Sequence, residues 1–388
     1  MSDAPDFDAP AIATLLASVL PDSNGSVTPP IVQSSLFSFD SFEAFEARMA
    51  GDSNADIYTR VQNPTVAAFE NLMAQAEVGE AAVGFASGMA AIASTLLAFV
   101  QPGDRIACCE HVYPDTFRFM ERLLRPFGVE VSYHPARQFV DDPDLLNGVS
   151  VAYLESPSSI MFEPMDLPRI AEHARHHGVV TMIDNSWASP VFQKPLTLGI
   201  DIVLHSASKY ISGHSDTVAG VVVASQPHIA RIRDLTLPLL GAKLAPFEAF
   251  LLTRGLRTLS ARMKHHEASA NLFVDRLATL PNVVRVNSPG ANSAPGLNGR
   301  SGLMSVEFDD SVNIPALSNA LSLFRLGVSW GGFESLILPA RVALAQAGEQ
   351  NSLQKFGVSP NLVRLSLGLE DAEDLWADFI NALSQSAA

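Results

Sequence analysis

Lys209 is the residue with the most chemistry to explain. It closes a mostly apolar run, Asp201-Ile-Val-Leu-His-Ser-Ala-Ser-Lys209, and opens a small polar stretch, Tyr210-Ile-Ser-Gly-His-Ser-Asp216. The run predicts a buried strand that ends on the lysine. A free ammonium is costly there, because desolvation penalises the charge. Ion pairing, a lowered pKa or conversion of the amine to a Schiff base each resolve that cost. The last option needs a carbonyl partner, and pyridoxal phosphate (PLP) is a cofactor that uses a lysine this way.

A PLP site also needs an acid against the pyridinium nitrogen, and Asp184 ends the preceding predicted strand, Val179–Asp184. Spacing alone leaves a capping Asp and a surface Lys equally open. Phosphate needs backbone N–H groups at a helix start and nearby hydroxyls. Ser87-Gly88-Met89 stands at a strand-to-helix turn, and Ser206 and Ser208 flank the lysine with strand-like alternation, which predicts one shared face. Tyr113 follows a further strand end, where an aromatic can stack on a cofactor ring or simply pack. Tyr58 and Arg60 end an arm with little periodicity, and Arg364 sits inside an apolar strand, where its guanidinium needs an anion.

These side chains need a sheet to hold them. Ala81–Ala86, Val149–Glu155, Val179–Asp184, the run ending at Lys209 and Val218–Ala224 read as strands. Gly88–Val100 and Asp166–Gly178 read as helices between them. Apolar strands separated by helices predict a mainly parallel α/β sheet covered on both faces, with its site at the carboxyl ends of the strands. A long helix over Ala245–Leu280 leads away, and residues 287–302 read as loop. Leu303–Phe308 and Val363–Leu367 then read as strands of a smaller C-terminal α/β domain, closed by a helix over Asp371–Leu383. The expected division is an N-terminal arm over 1–55 in subunit contacts, a large cofactor-binding domain over 56–240 and a C-terminal domain over 241–388.

Composition narrows the function. The chain has 388 residues, 47% hydrophobic and 17% charged, with a formal net charge of −16. That balance argues against nucleic acid and anionic membrane surfaces as partners, which need basic patches. Two adjacent cysteines, Cys108 and Cys109, cannot form a disulfide framework and are expected in the core. The first residues are acidic where a signal peptide would be basic, and no apolar run reaches membrane-spanning length, so a cytoplasmic protein is expected. His176-His177 and His265-His266 are neighbours on predicted helices and point about 100° apart, which is poor for chelation. No metal site is expected.

Taken together, these residues resemble the cysteine/methionine-metabolism PLP-dependent enzymes, the cystathionine γ-synthase-like family, over residues 25–388. The resemblance is carried by Tyr58-Thr-Arg60 with Asn63-Pro64-Thr65, Phe85-Ala-Ser-Gly-Met-Ala90, Asp184-Asn-Ser-Trp187, Ser206-Ala-Ser-Lys-Tyr210 with Gly213-His214-Ser215-Asp216, Arg254-Gly-Leu-Arg-Thr-Leu259 and Arg364-Leu-Ser-Leu-Gly-Leu-Glu370. It implies the aspartate-aminotransferase-like type I PLP fold, a homotetramer of two catalytic dimers and a small amino-acid thioether as substrate. It makes Lys209 the Schiff-base lysine and catalytic base, and Asp184 the partner of the pyridinium. Tyr113 would stack on the ring. Gly88, Met89, Ser206 and Ser208 would bind phosphate, helped by Tyr58 and Arg60 from a neighbouring subunit. Arg364 and Ser329 would hold the substrate carboxylate, and Trp330 would shape the distal pocket. The stretch Ser329-Trp-Gly-Gly-Phe-Glu-Ser-Leu336 is similar to the β-lyases of the family, which implies cleavage of cystathionine to homocysteine, pyruvate and ammonia. A γ-acting relative (cystathionine γ-synthase, cystathionine γ-lyase or methionine γ-lyase) and a non-catalytic regulator of the same fold are the alternatives.

Overall fold

The structure is a computed structural model that describes residues 11–18, 25–346 and 351–387. The acidic segment over residues 1–10 lies outside the described residues. Seven strands build the larger sheet: β1 Ala81–Phe85, β2 Arg105–Cys109, β3 Glu130–His134, β4 Val151–Glu155, β5 Val180–Asp184, β6 Ile202–Ser206 and β7 Gly220–Ala224. Their order is β1-β7-β6-β5-β4-β2-β3. Every pair from β6 to β3 is parallel, and β7 runs against both of its neighbours. The middle strands are apolar on both faces because helices cover both: Val151, Ala152, Tyr153 and Leu154 are fully buried, as are Met182, Ile183, Ile202 and Val203.

Local sequence sets the helix boundaries. Ser87 takes the N-cap of the helix Gly88–Phe99, its Oγ accepting from the Ala90 N–H at 3.0 Å. Asn63 caps Pro64–Glu77 in the same way, with proline at the first helical position. Asp166 caps Leu167–His177, and Gly178 ends it in the left-handed region.

The smaller sheet has the order β10-β11-β12-β9-β8, from β8 Val283–Asn287, β9 Leu303–Phe308, β10 Arg325–Leu326, β11 Leu336–Pro339 and β12 Leu362–Ser366. The helix Pro246–Leu277 joins the two halves. Leu252, Leu256, Leu259 and Met263 pack into the core under the larger sheet. Ala270, Phe273 and Leu277 pack under the smaller one.

Two expectations need correction. The strand does not run to Lys209: pairing with β7 ends at Ser206 opposite Gly220, and the chain then turns, with the Lys209 N–H bonded to the Ser206 carbonyl at 3.1 Å. Ser206 and Ser208 therefore do not alternate along one strand. The Ser208 hydroxyl instead accepts from the Ala219 N–H at 2.9 Å and donates to the Ala219 carbonyl at 3.2 Å. The arm also holds a helix, Phe42–Ala50, that its sequence pattern does not announce.

Candidate active site

The turn after β6 meets the loop over residues 328–332, which lies between β10 and β11 of the smaller sheet. Lys209 is half-buried in the turn after β6, and its Nζ donates to Ser329 Oγ at 2.7 Å. The same nitrogen lies 5.4 Å from the centre of the Trp330 ring, which leans on Tyr210 at 5.4 Å. Gly331 permits this approach: a Cβ there would stand 2.9 Å from the Tyr210 backbone nitrogen, and its φ of +81° suits glycine. Burial, and then the nearby Arg364 charge, lower the Lys209 pKa to about 8 against the opposing pull of Asp184. An amine near neutrality can carry a proton both ways.

Asp184 ends β5 nearly buried, and its Oδ1 accepts from the Ser186 N–H at 2.9 Å. Burial raises its pKa, opposed by the Ser186 hydrogen bonds and by the charges of His205 and Lys209. Arg364, half-buried on β12, donates from Nη2 to the Val328 and Ser329 carbonyls at 2.7 and 3.0 Å. Burial lowers its pKa to about 10, so it stays charged at neutral pH. Among the described residues no carboxylate pairs with it, which leaves the rest of its fork for a ligand.

The residues fit a phosphorylated pyridine. The Ser87 hydroxyl and carbonyl accept from the N–H groups of Ala90 and Ala91, while those of Gly88 and Met89 have no acceptor among the described residues. A Cβ on Gly88 would lie 2.9 Å from Ser206, so only glycine leaves the cradle between helix start and strand end open. Tyr113 begins the helix Pro114–Phe119. It is 41% exposed, and its hydroxyl donates to Asp115 at 2.9 Å. Burial of the phenol group and the Asp115 charge raise its pKa.

Tyr58 and Arg60 stand apart from this cluster within the chain. Arg60 lies over the Tyr58 ring at 5.6 Å and donates to the Pro238 carbonyl at 2.8 Å. Neither hydrogen-bonds a member of the lysine cluster among the described residues. His214 has a loop contact, its Nδ1 lying 2.6 Å from the Ser212 carbonyl. Cys108 and Cys109 are buried and unbridged in β2. Among the described residues no helix is long and apolar enough to cross a membrane.

One site residue escaped the sequence: Glu155, at the end of β4. It was visible only as the last letter of an apolar run.

The family model for Cys/Met metabolism PLP-dependent enzymes matches residues 14–384. The L-methionine γ-lyase of Pseudomonas putida is 37% identical, with 94% of each chain covered. A cystathionine β-lyase of Lactococcus lactis subsp. cremoris is 34% identical over 94% of this chain and 95% of its own. The crystal structure of cystathionine γ-lyase from Lactobacillus plantarum, complexed with L-serine, superposes with a TM-score of 0.88 at 32% identity, covering 97% of this chain and 99% of that one.

Proposed function

The chain belongs to the Cys/Met metabolism PLP-dependent enzymes, with their α/β type I fold and their cofactor, and within that family of carbon–sulfur lyases we propose that it is a β-lyase that cleaves cystathionine. PLP, when bound, supplies an electron sink in conjugation with the substrate Cα. Asp184 keeps the pyridine nitrogen protonated. Arg364 and Ser329 hold the substrate α-carboxylate, and Lys209 Nζ takes the Cα proton. The Cβ–S bond breaks with its electron pair on sulfur, which takes up a proton and leaves as homocysteine. Addition of water to the three-carbon remainder releases pyruvate and ammonia.

The observation that supports β-cleavage is that, among the described residues, the Lys209 amine stands in this cluster with Ser329 at 2.7 Å while the Tyr113 hydroxyl is tied to Asp115. γ-Elimination needs a second proton moved at Cβ. A second candidate, the Tyr113 hydroxyl, donates to Asp115 and has a raised pKa, so it stays protonated at neutral pH and is a poor base. Trp330, stacked beside the amine, fits the wall of a pocket for the thioether's distal arm. The second reading, γ-elimination, is favoured by the 37% identity to a methionine γ-lyase. We further propose that the protein works as a cytoplasmic homotetramer in which Tyr58 and Arg60 complete a neighbour's phosphate site. Incubation with L-cystathionine and identification of the keto acid tests the reaction: pyruvate with homocysteine is expected, and 2-oxobutyrate would overturn β-cleavage in favour of the γ reading.

A further inference from the structure

Glu155 and Asp184 are register partners on the adjacent parallel strands β4 and β5. Two buried carboxylates therefore leave the sheet side by side on the same face. Both oxygens of Glu155 are engaged. The Tyr113 N–H donates to Oε2 at 2.8 Å, and the Ser159 hydroxyl donates to Oε1, a bond that reverses by rotation of the hydroxyl when the carboxyl is protonated. Its own N–H points at Cys109 Sγ at 3.2 Å. The titratable groups around it are Asp184 on β5, Cys108 and Cys109 on β2, Tyr153 on its own strand and Tyr113 in the loop after β2. None of them is a cation at neutral pH. Both carboxylates receive donors that favour the anion, Glu155 from Ser159 and the Tyr113 N–H and Asp184 from Ser186, but of the two only Asp184 also has the His205 and Lys209 charges acting on it. Neighbouring buried carboxylates do not both ionise, and the one with cationic neighbours takes the charge.

We propose that Glu155 is a positioning residue that acts as a neutral carboxylic acid, accepting the Tyr113 backbone N–H on one oxygen, donating its own proton to Ser159 from the other, and leaving the negative charge of the pair on Asp184. It thereby fixes the loop that presents the Tyr113 ring and keeps Asp184 ionised toward the pyridine nitrogen. Burial and the Asp184 charge push the Glu155 pKa up to about 8, in keeping with this assignment. The proposal rests on the cofactor site described above but not on which C–S bond is cut.

The test compares full-length Glu155→Gln and Glu155→Ala proteins. A glutamine reproduces the neutral acid, with one carbonyl to accept from Tyr113 and one N–H to donate to Ser159. It should keep PLP affinity, read by absorbance titration of the apoprotein, and kcat within about tenfold of the parent. Glu155→Ala should lose about tenfold or more in one of the two, because the ring-bearing loop is released. The Tm profile of the apoprotein gives a readout independent of turnover. The folded chain binds a proton at Glu155 more tightly than the unfolded chain, whose carboxyl has its ordinary value of 4.5. Stability from this group is therefore full at low pH and lost as pH rises toward about 8. Glu155→Gln should remove that decline. If Glu155→Ala does not fold, Glu155→Gln decides alone. A glutamine variant weakened about tenfold or more, or one whose Tm declines with pH as the parent's does, overturns the proposal. Glu155→Ala with unchanged PLP affinity and kcat overturns it too. Failure to form any keto acid would sink the lyase reading while the PLP titration and the Tm profile still judge Glu155.

Discussion

Replacing Arg364 by lysine separates substrate binding from structural support. The guanidinium already spends Nη2 on the Val328 and Ser329 carbonyls, at 2.7 and 3.0 Å. Its remaining N–H donors are free to grip a carboxylate. An ammonium keeps the charge and loses the fork, so it can serve the carbonyls or the ligand but not both with good geometry. One lost charge-assisted hydrogen bond costs roughly 1.5–3 kcal/mol. At ~1.4 kcal/mol per decade that is about a ten- to hundredfold rise in KM for the thioether. The effect should reach turnover as well. The loop that Arg364 braces carries Ser329, whose hydroxyl accepts from Lys209 at 2.7 Å, so a looser loop misplaces the base relative to the Cα proton. PLP affinity should hold, because the Gly88 cradle and Asp184, which would hold the cofactor's phosphate and ring nitrogen, do not involve Arg364. Steady-state kinetics, PLP titration and Tm on one preparation give the answer. A KM within about threefold of the parent together with a lowered Tm would refute the reasoning and make Arg364 a structural brace.

Lys209→Ala should abolish turnover and the yellow colour of the loaded protein, and undiminished lyase activity would remove the lysine from the mechanism. In the apoprotein, the Lys209 pKa is lowered to about 8 from its ordinary value of 10.5, so its contribution to stability is full above 10.5 and lost as pH falls through 8. Lys209→Met should therefore abolish the part of the Tm rise seen between those values, and an unchanged profile would show that the amine is not desolvated. Gly88→Ala should weaken PLP binding about tenfold or more, because the new Cβ meets Ser206 at 2.9 Å inside the cradle; unchanged affinity would mean that the phosphate lies elsewhere. Mixed dimers of Lys209→Ala with Arg60→Ala should recover part of the activity that each parent lacks, and no recovery in proven mixed dimers would confine Arg60 to its own subunit.

Much of the frame was legible in the sequence because burial writes itself into apolar runs. Leu303–Phe308 is a strand with the limits its residues suggest, and Asp166 and Gly178 bracket their helix as a capping residue and a left-handed glycine should. The failures have physical causes. The apolar run before Lys209 continues past the last ladder pair, and nothing in it marks Gly220 as the point where β7 stops pairing. The helix Phe42–Ala50 buries none of its residues, and Phe42 is 73% exposed, so it has no core-facing stripe to detect.

The site residues divide in the same way. Lys209, Asp184 and Arg364 stood out by chemistry that their positions make costly or unusual, whereas Ser329 and Trp330 came only from the family resemblance; the fold draws these residues from β5, the turn after β6, the loop over 328–332 and β12. Glu155 was missed because its importance depends on strand order. A carboxylate at a strand end is an ordinary cap until the sheet places β5 beside β4 and gives it Asp184 as a neighbour. The same dependence governs the choice between β- and γ-cleavage. Both reactions use one cofactor, one lysine and one carboxylate clamp, so the motifs that report those parts are shared. What differs is whether a second group can move a proton at Cβ. On the proposed β-lyase reading, that turns on the Tyr113 hydroxyl, which donates to Asp115 on a loop whose Tyr113 N–H bonds Glu155. Freeing that hydroxyl with Asp115→Ala should therefore change the product ratio before it changes PLP binding. A rise in 2-oxobutyrate relative to pyruvate from cystathionine is the expected result. An unchanged ratio would place the selectivity in the pocket wall around Trp330 instead.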